Sequence, residues 1–497
     1  MNHDDTSHAA QTQAQGADTG WDFASLYGFD PNSSLGNTPK GCLVADVFGN
    51  LYGVTNVGGL TDGDPSGHGV VFRLAPSENS PICTTYTYSV LHHFNGADGA
   101  RPVGGLLATD GGRTFYGTTA GGGVTGNGVV FRLSLSGDGS VHYLPLYNFQ
   151  AMHLPPSTPA TNPDGAAPTA RLAIDARGVL YGTTSAGGAN GGGTAFMLTP
   201  DKSAFVFTKL HDFSAPTGYD DNTGALTLDP EGNLYGLKQL GGANAAGELF
   251  ALFRSPLGGY VYDTLYSFPM SMQTAAMPTG DLAIDARGRL YGTTYSGGSN
   301  WSGSVFMVDL SSSPPQFDTL HDFDIAASGV ACPLAGVVLD ADGNVYGTAS
   351  DSDANGAVFM LKNNGDGSYT YSTLFDFVDS NTQGNSPENN LIFDGNGNLC
   401  GTTVEGGGSD GGTVFKLIDI RTAKGAAVWE DGVILGVTMI IGGQGYTSAP
   451  SVRFDAPGIG MTAQGVAVLT DGVVTAVQMT NNGSGYTFAP QVHFSSP

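Results

Sequence analysis

Residues Asp281 to Leu310 read DLAIDARGRLYGTTYSGGSNWSGSVFMVDL, and the skeleton of this stretch returns along most of the chain. Its LAID and RLYGTT are short runs of strand-forming residues joined by Asp-Ala-Arg-Gly, a tight turn in which Gly288 can take the positive φ that closes a hairpin. After a Gly-rich connector, SVFMV gives a third apolar run, and FDTLHDF at Phe317 to Phe323 gives a fourth. Four antiparallel strands make one unit.

The Tyr-Gly pair recurs as Tyr52-Gly53, Tyr116-Gly117, Tyr181-Gly182, Tyr235-Gly236, Tyr291-Gly292 and Tyr346-Gly347, and in altered form as Cys400-Gly401. The spacings between successive copies are 64, 65, 54, 56, 55 and 54 residues, too regular for chance. The third run has seven copies, from VVFRL to TVFKL. The fourth has six after the first Tyr-Gly, and WDFASLYGF at Trp21 to Phe29 supplies the same pattern ahead of it. The pattern predicts an all-β chain whose residues 21–420 form a seven-bladed β-propeller of four-stranded blades. The Trp21–Phe29 strand is expected to pair with Thr413–Leu417 and so tie the two ends of the repeat array together.

Residues 421–497 follow another rule. AAVWEDGVILGVTMIIGGQGYTSAPSVRF is matched by VAVLTDGVVTAVQMTNNGSGYTFAPQVHF, with Asp431 and Asp471 forty residues apart and Asp-Gly marking a hairpin in each copy. This predicts a small β domain of two repeats. Residues 1–20 are polar, with no apolar core of signal-peptide length, and are expected to be disordered.

DGAAPTARLAIDARGVLYGTTSAGGANGGGTAFML at Asp164 to Leu198 resembles the bacterial tandem repeat nicknamed GloVer, whose pattern runs DG, Pro, Leu, Asp, GNLYGTT, GG and GTVF. The likeness extends over about Trp21 to Ile420 and weakens in the fourth copy, where YGLKQL replaces YGTT. It implies a surface or secreted protein and brings no catalytic residues to carry over. The GxGYTxAPxV pattern of the last residues resembles repeats of bacterial surface and phage tail proteins, which implies contacts for surface attachment or self-assembly.

Composition sets further limits. Glycine accounts for 77 of 497 residues and charged residues for 12%, as in a turn-rich β chain. The net charge of −26 would repel a phosphate backbone, so neither nucleic acid nor an anionic membrane surface is an expected partner. No apolar run is long enough to span a membrane, and the acidity suits an extracellular or cell-surface location. Cys42, Cys83, Cys332 and Cys400 lack metal-ligand spacing; Cys42, just before the first strand of blade one, and Cys400, in the blade seven that a closed ring would set beside it, are the disulfide candidate.

In such a blade the connector from strand two to three and that from strand four to the next blade share one face, the usual ligand surface. Departures from glycine there are the candidate site. Tyr295 and Trp301 in YSGGSNWSG suit stacking on a sugar ring. Lys238 and Glu248 depart from the other copies in the fourth blade and also suit an ion pair between blades, His68 lies in the first connector, and Glu405 and Asp410 lie in the last. Asp62, Asp64, Asp351 and Asp353 could hold Ca2+ through oxygen ligands or, with Glu405 and Asp410, supply a hydrolytic carboxylate pair; no other cofactor is expected. His92, His93, His211 and His321 alternate with Tyr and Phe in the fourth run, which argues for packing and against a metal.

With no nucleophile motif and no phosphate loop, the leading expectation is an exported, non-catalytic binding protein for a glycan or polysaccharide. The rival is a glycosidase or polysaccharide lyase using the same face. A third reading is a structural surface protein assembling through residues 421–497.

Overall fold

A computed structural model describes residues 12–13, 20–60, 66–78, 82–153, 160–202, 204–214, 224–269, 274–328, 330–350, 355–495 and 497. Apart from Thr12–Gln13 and Gly20, the N-terminal segment expected to be disordered lies outside them.

Strands dominate, and among the described residues six four-stranded antiparallel sheets pair their strands in sequence order, a propeller-like arrangement. The fifth sheet shows the unit: Ala276–Ile284, Leu290–Ser296, Ser304–Asp309 and Gln316–Asp322 pair in sequence order. In it Gly292 lies opposite Phe306, and a Cβ on Gly292 would stand 2.6 Å from the Phe306 ring. Gly53, Gly117, Gly182, Gly236, Gly347 and Gly401 meet a cross-strand Phe in the same way, at 2.4 to 2.7 Å. The Tyr-Gly and Val-Phe segments are thus two halves of one contact, with a fully buried ring laid over a bare backbone.

The last sheet takes strands from both ends of the repeat array. Trp21–Gly28 pairs with Thr413–Asp419, placing Phe23 opposite Leu417 and Gly28 opposite Thr413 as the repeat count requires. Thr12–Gln13 adds a short fifth strand outside it.

Aromatic stacking joins each sheet to the next. His92 stacks on Tyr143, Tyr147 on Phe207, His211 on Tyr262, Tyr266 on Phe317, His321 on Tyr371, Phe375 on Phe23, and Tyr27 on Tyr88. Ring centroids are 4.0–4.6 Å apart and interplanar angles 2–15°. Each pair contributes about 0.5–1.5 kcal/mol beyond its buried area. The sequence of contacts starts at the first sheet and returns to it. His92, His211 and His321 are therefore packing residues, as their exchange with Tyr and Phe indicates. Burial lowers the pKa of His211 and His321, which favours the neutral ring.

A second link lies on the connector side. Thr38, Arg101, Ala167, Met277, Cys332 and Ser386 each precede a proline and hold a left-handed φ of 51–56°. Each donates its N–H to a carbonyl in the preceding sheet's connector: Cys332 to Ser302 at 2.8 Å, Arg101 to His68 at 3.0 Å. A non-Gly residue there costs on the order of 1–3 kcal/mol, offset by this bond and by seating the proline against a connector glycine, as Pro333 does at Gly303.

Residues after Arg421 form two hairpins, Lys424–Glu430 with Val433–Ile441 and Gln464–Thr470 with Val473–Asn481. Asp431 and Asp471 sit at φ 49° and 51° in the turns that the Asp-Gly pairs predict. The copies lock reciprocally: Tyr446 N donates to Gly472 O at 3.2 Å and Tyr486 N to Gly432 O at 3.1 Å. They rest on the strand-one-to-two turns, through Lys424 Nζ to Asn396 O at 2.8 Å and through Phe48 beside Phe488. The opposite, connector face is left uncovered by these repeats.

The disulfide expectation fails. None of the four cysteines is in a disulfide; Cys42 lies beside Gly105 and lines the central cavity, whereas Cys400 is packed between the last sheet and the first.

Candidate functional site

The connector face presents a set of equivalent loops, and their backbones decide what each can display. In the second and third sheets the loop tip is Gly126 and Gly191, at φ 82° and 78°. In the fifth sheet the same position is Trp301, at φ 61°. Ala245 and Asp410 hold the same left-handed position in the fourth and last sheets, so what is particular to the fifth is that a bulky aromatic is carried there. The indole is 51% exposed and makes no ring contact among the described residues. Tyr295, in the same connector, is 38% exposed.

The loop that carries Trp301 is tightly held. Ser302 O accepts from Cys332 N of the next sheet at 2.8 Å, Gly303 N donates to Gly297 O at 3.1 Å, and Asp322 accepts from Ser299 N at 3.2 Å and Ser304 Oγ at 2.7 Å. Asp322 lies on the outermost strand of its own sheet, so the connector is pinned on two sides. An exposed aromatic on a fixed loop loses little conformational entropy on binding.

The other candidates separate. Glu405 is exposed, its backbone bridged to Asn385, and Asp410 accepts from Gly406 N at 2.9 Å and holds the left-handed tip position of its own loop. His68 is half-buried, its carbonyl is an inter-sheet acceptor and its ring lies over Gly96. Asp62, Asp64, Asp351 and Asp353 lie outside the described residues. Among the described residues no group of three or more His, Cys, Asp or Glu side chains is placed to hold a metal ion.

Lys238 and Glu248 correct the reading of the fourth sheet. They are 3% and 7% exposed and stand opposite each other on adjacent strands, where the third and last sheets have facing threonines. Lys238 donates to Ser214 O at 3.3 Å and lies 5.3 Å above the Phe213 ring of the third sheet. Glu248 accepts from Tyr262 Oη at 2.7 Å and Thr264 Oγ1 at 3.1 Å. The two residues face each other within one sheet, with Lys238 reaching the third sheet through Ser214 and Phe213, and both are in the core rather than on an open surface.

Two charged groups were missed. Where the last sheet has Cys400 in place of Tyr, Lys416 Nζ meets Asp394 Oδ2 at 2.9 Å with side chains 2% and 5% exposed. At the centre, Arg171, Asp281 and Asn390 come together from the third, fifth and last sheets, with Asn390 Nδ2 donating to Asp281 Oδ2 at 2.8 Å. The available signal was variation: the residue directly before the first-strand Leu or Val changes from copy to copy while its neighbours repeat.

The sequence model of the Gloeobacter/Verrucomicrobia repeat matches residues 17–159, 157–268 and 251–428. The chain belongs to this repeat family. No curated protein matches it. Among solved structures it is similar to an ancestral GH74 enzyme, with a TM-score of 0.52 at 10% identity over 82% of this chain and 50% of that one. The likeness is one of fold, and this chain spans half the length of that enzyme. A putative oxidoreductase (glucose dehydrogenase) from Thermus thermophilus gives a TM-score of 0.38 at 14% identity, over 78% of this chain and 98% of that one. Prolyl oligopeptidase B from Galerina marginata gives 0.39 at 12%, over 74% and 48%. No helix among the described residues is long and apolar enough to cross a membrane.

Proposed function

We propose that this is an exported glycan-recognition protein, in which residues 21–420 form a closed ring of seven blades and residues 421–497 a separate module for surface or assembly contacts. The ring is supported by the Trp21–Gly28 pairing, by the stacking that runs from the first sheet back to the first, and by contacts at the centre between sheets that are not neighbours in sequence. The binding reading rests on one observation above the others: Trp301 offers an exposed indole at a strained, firmly anchored loop tip on the uncovered face. An indole there presents a flat apolar surface to the C–H face of a sugar ring, and Tyr295 in the same connector can add a polar contact beside it. An extracellular or cell-surface location suits the acidic surface and the polysaccharide ligand class.

A hydrolytic reading draws on the GH74 neighbour, which shares the fold at 10% identity, and on the exposed Glu405 and Asp410. One experiment separates the readings. The purified chain and its Trp301→Ala variant are passed over a polysaccharide panel, scoring retention and released product. Retention that falls severalfold in the variant, without product, supports recognition. Product release supports the enzyme, and neither retention nor product for any polysaccharide overturns the glycan reading.

A further inference from the structure

Cys42, Arg171, Asp281 and Asn390, each the residue directly before a first-strand Leu, line one central cavity. Asp281 is held there by Ala225 N at 3.1 Å and Asn390 Nδ2 at 2.8 Å, and Asn390 Oδ1 accepts from Gly336 N at 2.7 Å. These two side chains are fixed and mutually satisfied. Arg171 is not. Its Nε stands 3.8 Å from Asp281 Oδ2, beyond hydrogen-bond length, and among the described residues its guanidinium donates no hydrogen bond.

Arg171 is ringed by protein, yet 37% of its side chain is open, because it borders a cavity of about 370 Å³. Beyond the polar floor of Arg171, Asp281 and Asn390 the walls are apolar: Leu282, Ile284, Val338, Ile392 and Phe393. Leu339 and Phe393 also line a cleft of about 900 Å³ beneath the C-terminal strands, so the two spaces adjoin. A few convergent polar groups at the end of an apolar chamber are the usual plan of a small-molecule site, and the volume lies within the common range of roughly 300–1,000 Å³.

We propose that this cavity binds a small carboxylate with an apolar body. A guanidinium with unused donors in a planar fork matches a carboxylate through two parallel hydrogen bonds. Asp281 already offsets part of the Arg171 charge from 3.8 Å, so a singly charged head meets less opposition there than a doubly charged phosphate would. The apolar tail then lies along Ile284, Val338 and Ile392 toward the cleft. Asp281 acts as a positioning residue that keeps Arg171 aimed inward. The proposal is independent of the glycan reading, since neither Trp301 nor any other residue of its connector lines the cavity.

Calorimetric titration of the full chain with octanoate, benzoate, the matching amides and inorganic phosphate tests it. Saturable binding of at least one acid is expected, weakened at least about tenfold in its amide and in Arg171→Gln, and unchanged in Trp301→Gly. Should Arg171→Gln fail to fold, the acid-against-amide comparison on the native chain still decides. Equal binding of acid and amide, equal binding by Arg171→Gln, binding of phosphate but of neither acid, or no saturation at millimolar acid would each overturn the proposal. Because the Trp301→Gly control leaves this site intact, failure here and failure of the glycan reading give different patterns.

Discussion

The sixth and last sheets are neighbours built from the same four runs, yet they satisfy the same aspartate differently. In the sixth, Asp340 accepts from Asp342 N and Asn344 N within its turn and from Tyr346 Oη at 2.9 Å. In the last, Asp394 accepts from Asn396 N and Asn398 N in the same way, but Cys400 stands in the tyrosine's place and Lys416 Nζ approaches at 2.9 Å. The turn needs its carboxylate in both cases, because that group caps two backbone N–H groups. What differs is the third partner. A tyrosine adds no charge beside the carboxylate, whereas a lysine brings a buried charge held chiefly by its mate, with Cys83 O and Tyr86 Oη as longer partners at 3.5 Å. The sheet that joins the two chain ends and carries the C-terminal repeats is also the one with this charge in its core.

The largest effect should come from the strand that only the last sheet borrows. Removing residues 1–28 deletes Trp21, Phe23, Ala24 and Leu26, all buried against the sixth, last or first sheet. At roughly 1.5–3 kcal/mol per large buried side chain the loss is on the order of 5–10 kcal/mol, comparable to the whole stability of a domain. Thermal melting should collapse or broaden. A melting temperature within a degree of the full chain would show that the first sheet and the last do not depend on this strand.

The next effect sharpens the comparison itself. Asp394→Asn leaves Lys416 charged and buried without its carboxylate and should cost about 3–5 kcal/mol. Asp340→Asn weakens one acceptor of a neutral tyrosine and should cost about 1 kcal/mol. Burial works against the Lys416 ammonium, but Asp394, with Cys400 and Tyr86, outweighs it and raises its pKa. Equal losses in urea unfolding would mean that the last sheet tolerates the charge as easily as the sixth tolerates its tyrosine.

This contrast was only half legible in the sequence. Cys400 stands out as the one altered copy of Tyr-Gly, but which side chain takes the vacated place depends on how the third strand packs against the first sheet, where Lys416 lies 5.9 Å from the Tyr86 ring. The periodic features were readable: four runs per unit, the borrowed strand and the Asp-Gly hairpins each rest on local alternation and turn chemistry. Lys238 and Glu248 were misplaced because they stand at the very ends of facing strands, and one residue of boundary separates an open loop from a core position. Arg171 and Asp281 were invisible as a pair, since 110 residues separate them and only the arrangement of the sheets brings their strands to one centre. Trp301 was legible by composition, whereas its left-handed backbone was not.

Beside Asp394 lies a second buried lysine with the opposite behaviour. Burial lowers the pKa of Lys424 to about 8, opposed by Asp394 and Asp419 and reinforced by Lys416. The unfolded chain holds this proton more tightly, so between about pH 8 and the ordinary lysine range it carries more protons than the folded one. Stability from this group therefore rises with pH across that window and is lowest below it. Lys424→Met also loses the bond to Asn396 O, so the readout is the change in the gap: from pH 7 to 10 the native chain should gain about 1–3 kcal/mol relative to the variant. A gap that is constant from pH 7 to 10 would mean that the folded chain does not depress this group.

The smallest expected change in stability extends the comparison to the loops of the third and fifth sheets. Gly191 and Trp301 hold the same tip position, at φ 78° and 61°, but only the glycine is at ease there. Trp301→Gly should leave the fold intact and relieve backbone strain, raising stability by up to about 1 kcal/mol, while Trp301→Ala keeps the strain and gains nothing. If the indole is the sugar platform, both variants lose retention on the polysaccharide alike, although they differ in melting. Were Trp301 instead a packing residue, both would melt lower and retention would follow stability. Measuring both quantities on the same two proteins therefore separates the conformation of the loop from the chemistry of its side chain: strain reads out in the difference between glycine and alanine, and recognition in what the two have lost in common.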